Sequence, residues 1–214
     1  MSNPVIDNIR LSLGRTASTP PGPRPDIIKP RQPGPVDAEI ERFFQELSRV
    51  SAVGLRMQPD GITSALKALV DEHKIKKATV WDTPILKQLQ IGDCLRLLGV
   101  ELVAPNAEKH VMAQCELGVT ETDFILPETG TLVLRSSVEM PRAVSLLPRV
   151  HLAIVTTAAL RADLHQVFAE AKESHYLVFI TGPSRTSDIE LTPTLGMHGP
   201  KFLFVWMLEN LLLK

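Results

Sequence analysis

Cysteine is scarce in this chain. Only Cys94 and Cys115 occur among 214 residues. An iron–sulfur cluster generally needs about four thiolate ligands, so none fits on this chain alone. A domain of this length also buries enough apolar surface to fold without disulfide or metal staples. Two partly buried thiols fit a reducing compartment. An excess of charge is missing as well: 23 Lys and Arg stand against 24 Asp and Glu, a formal net charge of -1. That balance leaves no electrostatic footprint for nucleic acid or an anionic membrane. No apolar run approaches the roughly 20 residues of a membrane span. The N-terminal MSNPVIDNIRLSLGR lacks the basic start and long apolar stretch of a signal peptide. The expected location is therefore the cytoplasm. The chain has no G-x-G-x-x-G at a strand end, no P-loop, no G-x-S-x-G and no HExxH, so the commonest nucleotide, hydrolase and zinc signatures are absent. His151, His198, Asp123, Glu128 and Glu190 carry ligating atoms but lack tight ligand spacing, so no metal site is expected.

What the chain does have is alternation. Val5, Ile6, Ile9 and Leu13 fall at helical spacing before Gly14, predicting a short amphipathic helix. Residues 15–35 are rich in proline and form no core, so residues 1–35 read as a helix plus extended linker, either docked or a loose tail. A domain over 36–214 follows. Helical patterns are expected over 36–53, from Ile62 to His73 with Asp60 a candidate cap, over 85–98, over 107–117 and over 160–173. Apolar strand-like runs lie at 53–57, 78–81, 100–104, 150–155, 176–181 and 201–208. Those at 124–126 and 131–134 form a hairpin or two segments around a bulge. Such runs, separated by helices, predict an α/β fold with a three-layer arrangement and a mainly parallel sheet covered on both faces.

Two loops concentrate the chemistry. The first, ITGPSRTSDIELTPTLGMHGPK over 180–201, follows one apolar run and precedes another, where α/β proteins commonly place ligands. Thr181 and Gly182 permit a sharp turn, Ser184 and Ser187 add hydroxyls, and Arg185 adds a planar cation. Ser187 or Asp188 is a candidate cap for a helix begun at Ile189, and Glu190 adds a carboxylate. This set reads either as an anion cradle or as a turn and cap with Arg185 solvated. His198, between glycines, is either a proton carrier or a turn histidine. The second loop is Glu128-Thr129-Gly130-Thr131. There Glu128 reads as a base, a nucleophile or a ligand anchor, or else as a solvated bulge residue.

ETGTLVL (128–134), SLLPRVHLAIV (145–155) and the long 180–201 motif closely resemble the lactate-utilisation protein C family, the LUD domain. The N-terminal helix and proline-bearing linker match it too, so the resemblance spans nearly the whole chain. It implies a fold similar to the glucosamine-6-phosphate isomerase, ribose-5-phosphate isomerase and CoA-transferase-like superfamily. It also implies a component of L-lactate oxidation to pyruvate, acting beside an iron–sulfur protein and a second subunit. The ligand expected is a small carboxylate or phosphate-bearing molecule, and the cofactor is unassigned. Homo-oligomerisation stays open. The matching positions are Glu128 and His198 as catalytic candidates. Thr129, Gly130, Thr131, Thr181, Gly182, Ser184, Arg185, Asp188 and Glu190 are ligand-binding candidates. One departure is Pro193, where the family usually carries an aliphatic residue. The alternatives are a stand-alone transferase, isomerase or cyclo-ligase-like enzyme with Glu128 as nucleophile or base, and a non-catalytic assembly subunit docking through residues 1–35. Glu128, Arg185 and His198 are expected to converge on one pocket.

Overall fold

A computed structural model of the chain describes residues 4–15, 23, 29–174, 176–186 and 194–209. In chain order its elements begin with α1 (Pro4–Ser12), α2 (Val36–Arg49), β1 (Val53–Met57), α3 (Ile62–His73) and β2 (Lys77–Val80). There follow α4 (Pro84–Gln88), α5 (Ile91–Leu97), β3 (Glu101–Val103), α6 (Lys109–Met112) and β4 (Leu117–Glu121). The hairpin β5 (Phe124–Leu126) and β6 (Thr131–Arg135) leads to α7 (Ala143–Leu146), β7 (Val150–Thr156) and α8 (Leu164–Glu170). The chain closes with β8 (Leu177–Ile180), β9 (Arg185–Thr186), β10 (Thr194–Leu195) and β11 (Phe202–Leu208).

Six strands form a parallel sheet in the order β1-β11-β7-β4-β2-β3. The central β4 and β7 are buried almost throughout, as expected where helices cover both faces. The three-layer, mainly parallel α/β expectation holds. On one flank α2 turns Ile40, Phe43 and Leu47 inward, each at most 1% exposed. Each such side chain contributes about 1.5–3 kcal/mol of burial. By contrast, α1 has no buried residue.

The structure departs from the sequence reading in several places. The helix expected over 107–117 is a single turn, α6, and the chain is already strand at Leu117. The resulting β4 lies at the middle of the sheet. Gly118, directly after the expected helix, has the residue type of a helix stop, but it answers a packing demand. A Cβ there would lie 2.0 Å from the Val144 carbonyl oxygen of α7. The helix expected over 85–98 is broken by Gln90, whose φ is 52°. That over 160–173 shrinks to α8, because the Asp163 side chain caps it by accepting from Gln166 N. Asp60 sits in a short turn and caps nothing.

The largest revision concerns 176–208. The strands on either side of the long motif belong to different sheets. β8 joins β5 and β6 in a three-stranded antiparallel sheet, whereas β11 lies between β1 and β7. The motif therefore links two sheets, and β9 and β10 pair as a small ribbon within it.

Candidate functional site

The site begins with a register. Antiparallel β6 and β8 pair Leu132 with Ile180. One step further along this ladder, Thr131 meets Thr181. Their hydroxyl oxygens are 2.8 Å apart, and Thr129 Oγ1 lies 2.6 Å from Thr131 Oγ1. Strand pairing thus brings the two sequence loops together as a chain of three hydroxyls. Three hydroxyl hydrogens serve two bonds, so one remains to be donated elsewhere.

Both loops abut the C-terminal end of α2. Gly130 has φ 62°, and a Cβ there would lie 2.8 Å from Leu47 N. Gly182 has φ 86°, and its Cβ would lie 2.7 Å from Val50 O. A side chain at either position would meet both backbone strain and a backbone atom. Arg185 donates from Nη2 to Val50 O at 2.6 Å. It therefore closes the end of α2, a favourable place for a cation.

A cleft of about 630 Å³ opens over the hydroxyl chain, within the range of ligand pockets. Leu126, Thr129, Thr131, Phe179 and Thr181 line one side, and 162–165 at the start of α8 line another. Glu128 stands at its rim, more than half exposed, with Arg42 Nη2 3.7 Å from its Oε1.

The remaining wall comes from the segment read as linker. Lys29 and Arg31 both line the cleft. Arg31 donates from Nη1 and Nη2 to the two carboxylate oxygens of Glu39 at 2.8 and 2.7 Å. Its Nε donates to Ala162 O, and its backbone N–H donates to the Asp163 carboxylate. Gly34 N donates to Glu39 Oε1 at 2.8 Å. Residues 29–35 are thus a strap, tied to α2 at one side and to the cap of α8 at the other. The bond from Arg31 holds the Glu39 carboxyl below its ordinary value, against the opposing effect of burial. Sequence reasoning missed Lys29, Arg31, Glu39 and Asp163 as parts of the site. The partners of Arg31 come from two separate segments, α2 and the start of α8, so no local spacing signals the cluster.

Arg185 and His198 do not face Glu128 in that cleft. They line a second cleft of about 340 Å³ with Gly182, Ser184, Ser145 and His151. The two clefts share Phe179 and Thr181. The expected single pocket is therefore two neighbouring ones on either side of the end of β8. Ser184 ties the second cleft's loops together: its N–H donates to Pro200 O at 2.9 Å, and its Oγ accepts from His198 N at 3.3 Å. His151 is fully buried, with Nε2 2.8 Å from Thr120 Oγ1. Burial pushes its pKa down to about 3, so it is neutral near pH 7. Asp123 is bound elsewhere, accepting from Arg135 N at 2.7 Å. Asp188, Glu190, Ser187 and Pro193 lie outside the described residues. Among those described, no group of three or more His, Cys, Asp or Glu is arranged to hold a metal, and no helix is long and apolar enough to cross a membrane.

Comparison with known proteins agrees with this architecture. The crystal structure of a DUF162 family protein from Deinococcus radiodurans aligns with a TM-score of 0.60 at 15% identity, covering 83% of this chain and 100% of that one. At that identity the likeness is one of fold. Lactate utilization protein C of Shouchella clausii is 28% identical over 210 residues, covering 91% of this chain and 92% of that protein. The protein of the same name from Halalkalibacterium halodurans is 26% identical over 211 residues, with the same two coverages. That from a Geobacillus species is 30% identical over 183 residues, 76% of this chain and 72% of the relative. The model of the LUD domain matches residues 40–207, and the chain belongs to that family.

Proposed function

We propose that this chain serves in lactate utilisation, as the component of an L-lactate-oxidising system that binds the small 2-hydroxy acid. In this reading 36–214 is the ligand-binding domain and residues 1–35 an arm whose last residues, 29–35, close one wall of the cleft. The observation that carries it is the composition of the larger cleft. A 2-hydroxy acid presents a carboxylate that needs donors and a hydroxyl that needs an acceptor. The threonine chain retains one hydroxyl hydrogen, and Lys29, on the strap wall of the same cleft, adds a cation. Glu128, at the rim, accepts the ligand hydroxyl. The relatives named lactate utilization protein C, matched over most of their length, support the same assignment. Oxidation to pyruvate releases two electrons. With two cysteines on this chain, we assign their acceptor to an iron–sulfur partner, with a second subunit completing the system.

Calorimetric titration of the purified chain with L-lactate tests this. Saturable binding is expected, weakened at least tenfold by Thr131→Val, which keeps the side-chain shape and removes the shared hydroxyl. A cell lacking the gene should lose growth on L-lactate and regain it with the wild-type chain. Absence of binding, or equal binding by Thr131→Val, refutes the site. A second reading is favoured by one observation: the apolar residues Val5, Ile6, Ile9 and Leu13 of the N-terminal arm are all exposed. An arm of that kind suits assembly with a partner. Removing residues 1–15 separates the readings, since it should abolish partner capture and leave lactate binding intact.

A further inference from the structure

The smaller cleft has a feature that the larger one lacks. His151 lies in its inner wall, fully buried, and its Nδ1 has no hydrogen-bond partner among the described residues. A buried polar atom without a partner costs about 1–3 kcal/mol and calls for an explanation. The hydrogen count fixes its character. Neutral imidazole carries one N–H and one bare nitrogen. Among the described residues the only partner of Nε2 is the Thr120 hydroxyl, itself fully buried. If Nε2 carried the hydrogen, Thr120 would have to direct its own hydrogen at nothing. If Thr120 donates to Nε2, the hydroxyl is satisfied and the ring hydrogen sits on Nδ1. His151, in the inner wall of the cleft, is thus a buried, neutral N–H donor.

The other groups around it agree in sign. Arg185 and His198 line the same cleft, and no carboxylate does so among the described residues. The larger cleft differs, with Glu128 and Asp163 among its lining. A ligand hydroxyl finds a charged acceptor in the larger cleft, and none among the described residues that line the smaller. We propose that the cleft between α7, β7 and the loops 181–185 and 198–200 is a second ligand site, taking a small carboxylate whose remaining oxygen is an acceptor, a 2-oxo acid, with that oxygen on His151 Nδ1–H and its charge on Arg185. The cavity of about 340 Å³ is ample for a molecule of that size. The site stands on its own geometry and does not depend on lactate occupying the first cleft. The two sites share Thr181 and Phe179, so filling one is felt at the other.

Histidine-edited nitrogen NMR of the full chain, with pyruvate as probe, tests the proposal. Without pyruvate, His151 should be the neutral Nδ1–H form. Pyruvate at up to about 10 mM should shift the Nδ1 signal and the Gly182 and Ser184 amides saturably. L-lactate should act on these signals more weakly. Arg185→Gln should weaken pyruvate about tenfold without altering the ligand-free His151 signals. Loss of lactate binding with these shifts intact would overturn the first-cleft reading alone. His151 signals unmoved by pyruvate, a hydrogen on Nε2, equal response to lactate and pyruvate, or an Nδ1–H bonded only to a trapped water would each overturn the second site.

Discussion

Replacing Glu39 with glutamine should free the strap. The Glu39 carboxylate accepts three bonds: two from the Arg31 guanidinium at 2.8 and 2.7 Å and one from Gly34 N at 2.8 Å. Bonds to a charged group contribute about 1.5–3 kcal/mol each at most, and isolating a buried charge costs about 3–5 kcal/mol. Two facts reduce the loss here. Glutamine retains one carbonyl acceptor, and the Arg31 side chain is 24% exposed against 5% for Glu39, so the freed guanidinium can turn toward water. The expected loss is about 2–3 kcal/mol, a fall in Tm of roughly 4–12 °C for a domain of this size. Trypsin reports on the strap itself. Lys29–Pro30 resists cleavage, whereas Arg31–Gln32 becomes cleavable once the strap lifts. Faster cutting there should accompany the lower Tm. The sign in pH follows from the lowered pKa of Glu39, caused first by the bond from Arg31. Its contribution is present above the ordinary value of 4.5 and is lost as pH falls through the lower folded value. The variant should lack that part of the acid dependence. Wild-type Tm together with wild-type cleavage at Arg31 in Glu39→Gln would refute the strap as a built element.

Three further outcomes follow from particular residues. Gly130→Ala should destabilise by at least about 1–3 kcal/mol in urea denaturation, because φ 62° disfavours a side chain and the new Cβ lies 2.8 Å from Leu47 N. His151, neutral in the fold with its pKa pushed down by burial to about 3, takes up a proton on unfolding below its ordinary value of 6.5. Stability should therefore fall as pH drops from about 6.5 toward 3, by up to about 1.4 kcal/mol per unit from this group. His151→Asn, which cannot protonate there, should show a shallower slope. Deleting residues 1–15 should leave urea stability within about 0.5 kcal/mol, because α1 buries no residue.

Much was legible along the chain. Apolar runs between helical periods gave the α/β class. The spacing of Ile40, Phe43 and Leu47 marked the face of α2 that packs on the core. The motifs at 128–134 and 180–201 pointed to the family that the comparisons support. Local chemistry set these features, because helix and strand periods are properties of neighbouring residues.

What the tertiary structure decided is what distant residues do to one another. Gly118 is indistinguishable from a helix stop until α7 lies 2.0 Å from where its Cβ would be. Arg31 reads as a solvated linker cation until Glu39 and Asp163 surround it. Arg185 looks like a free anion receptor until the end of α2 takes one of its N–H groups. The β6–β8 register joins Thr131 to Thr181 across 50 positions. The same arrangement divides Glu128 from Arg185 and His198, placing them in two clefts. Residue types and their local order were in the sequence. Which hydroxyl meets which, and which charge is already paired, depended on how two sheets and the strap pack together.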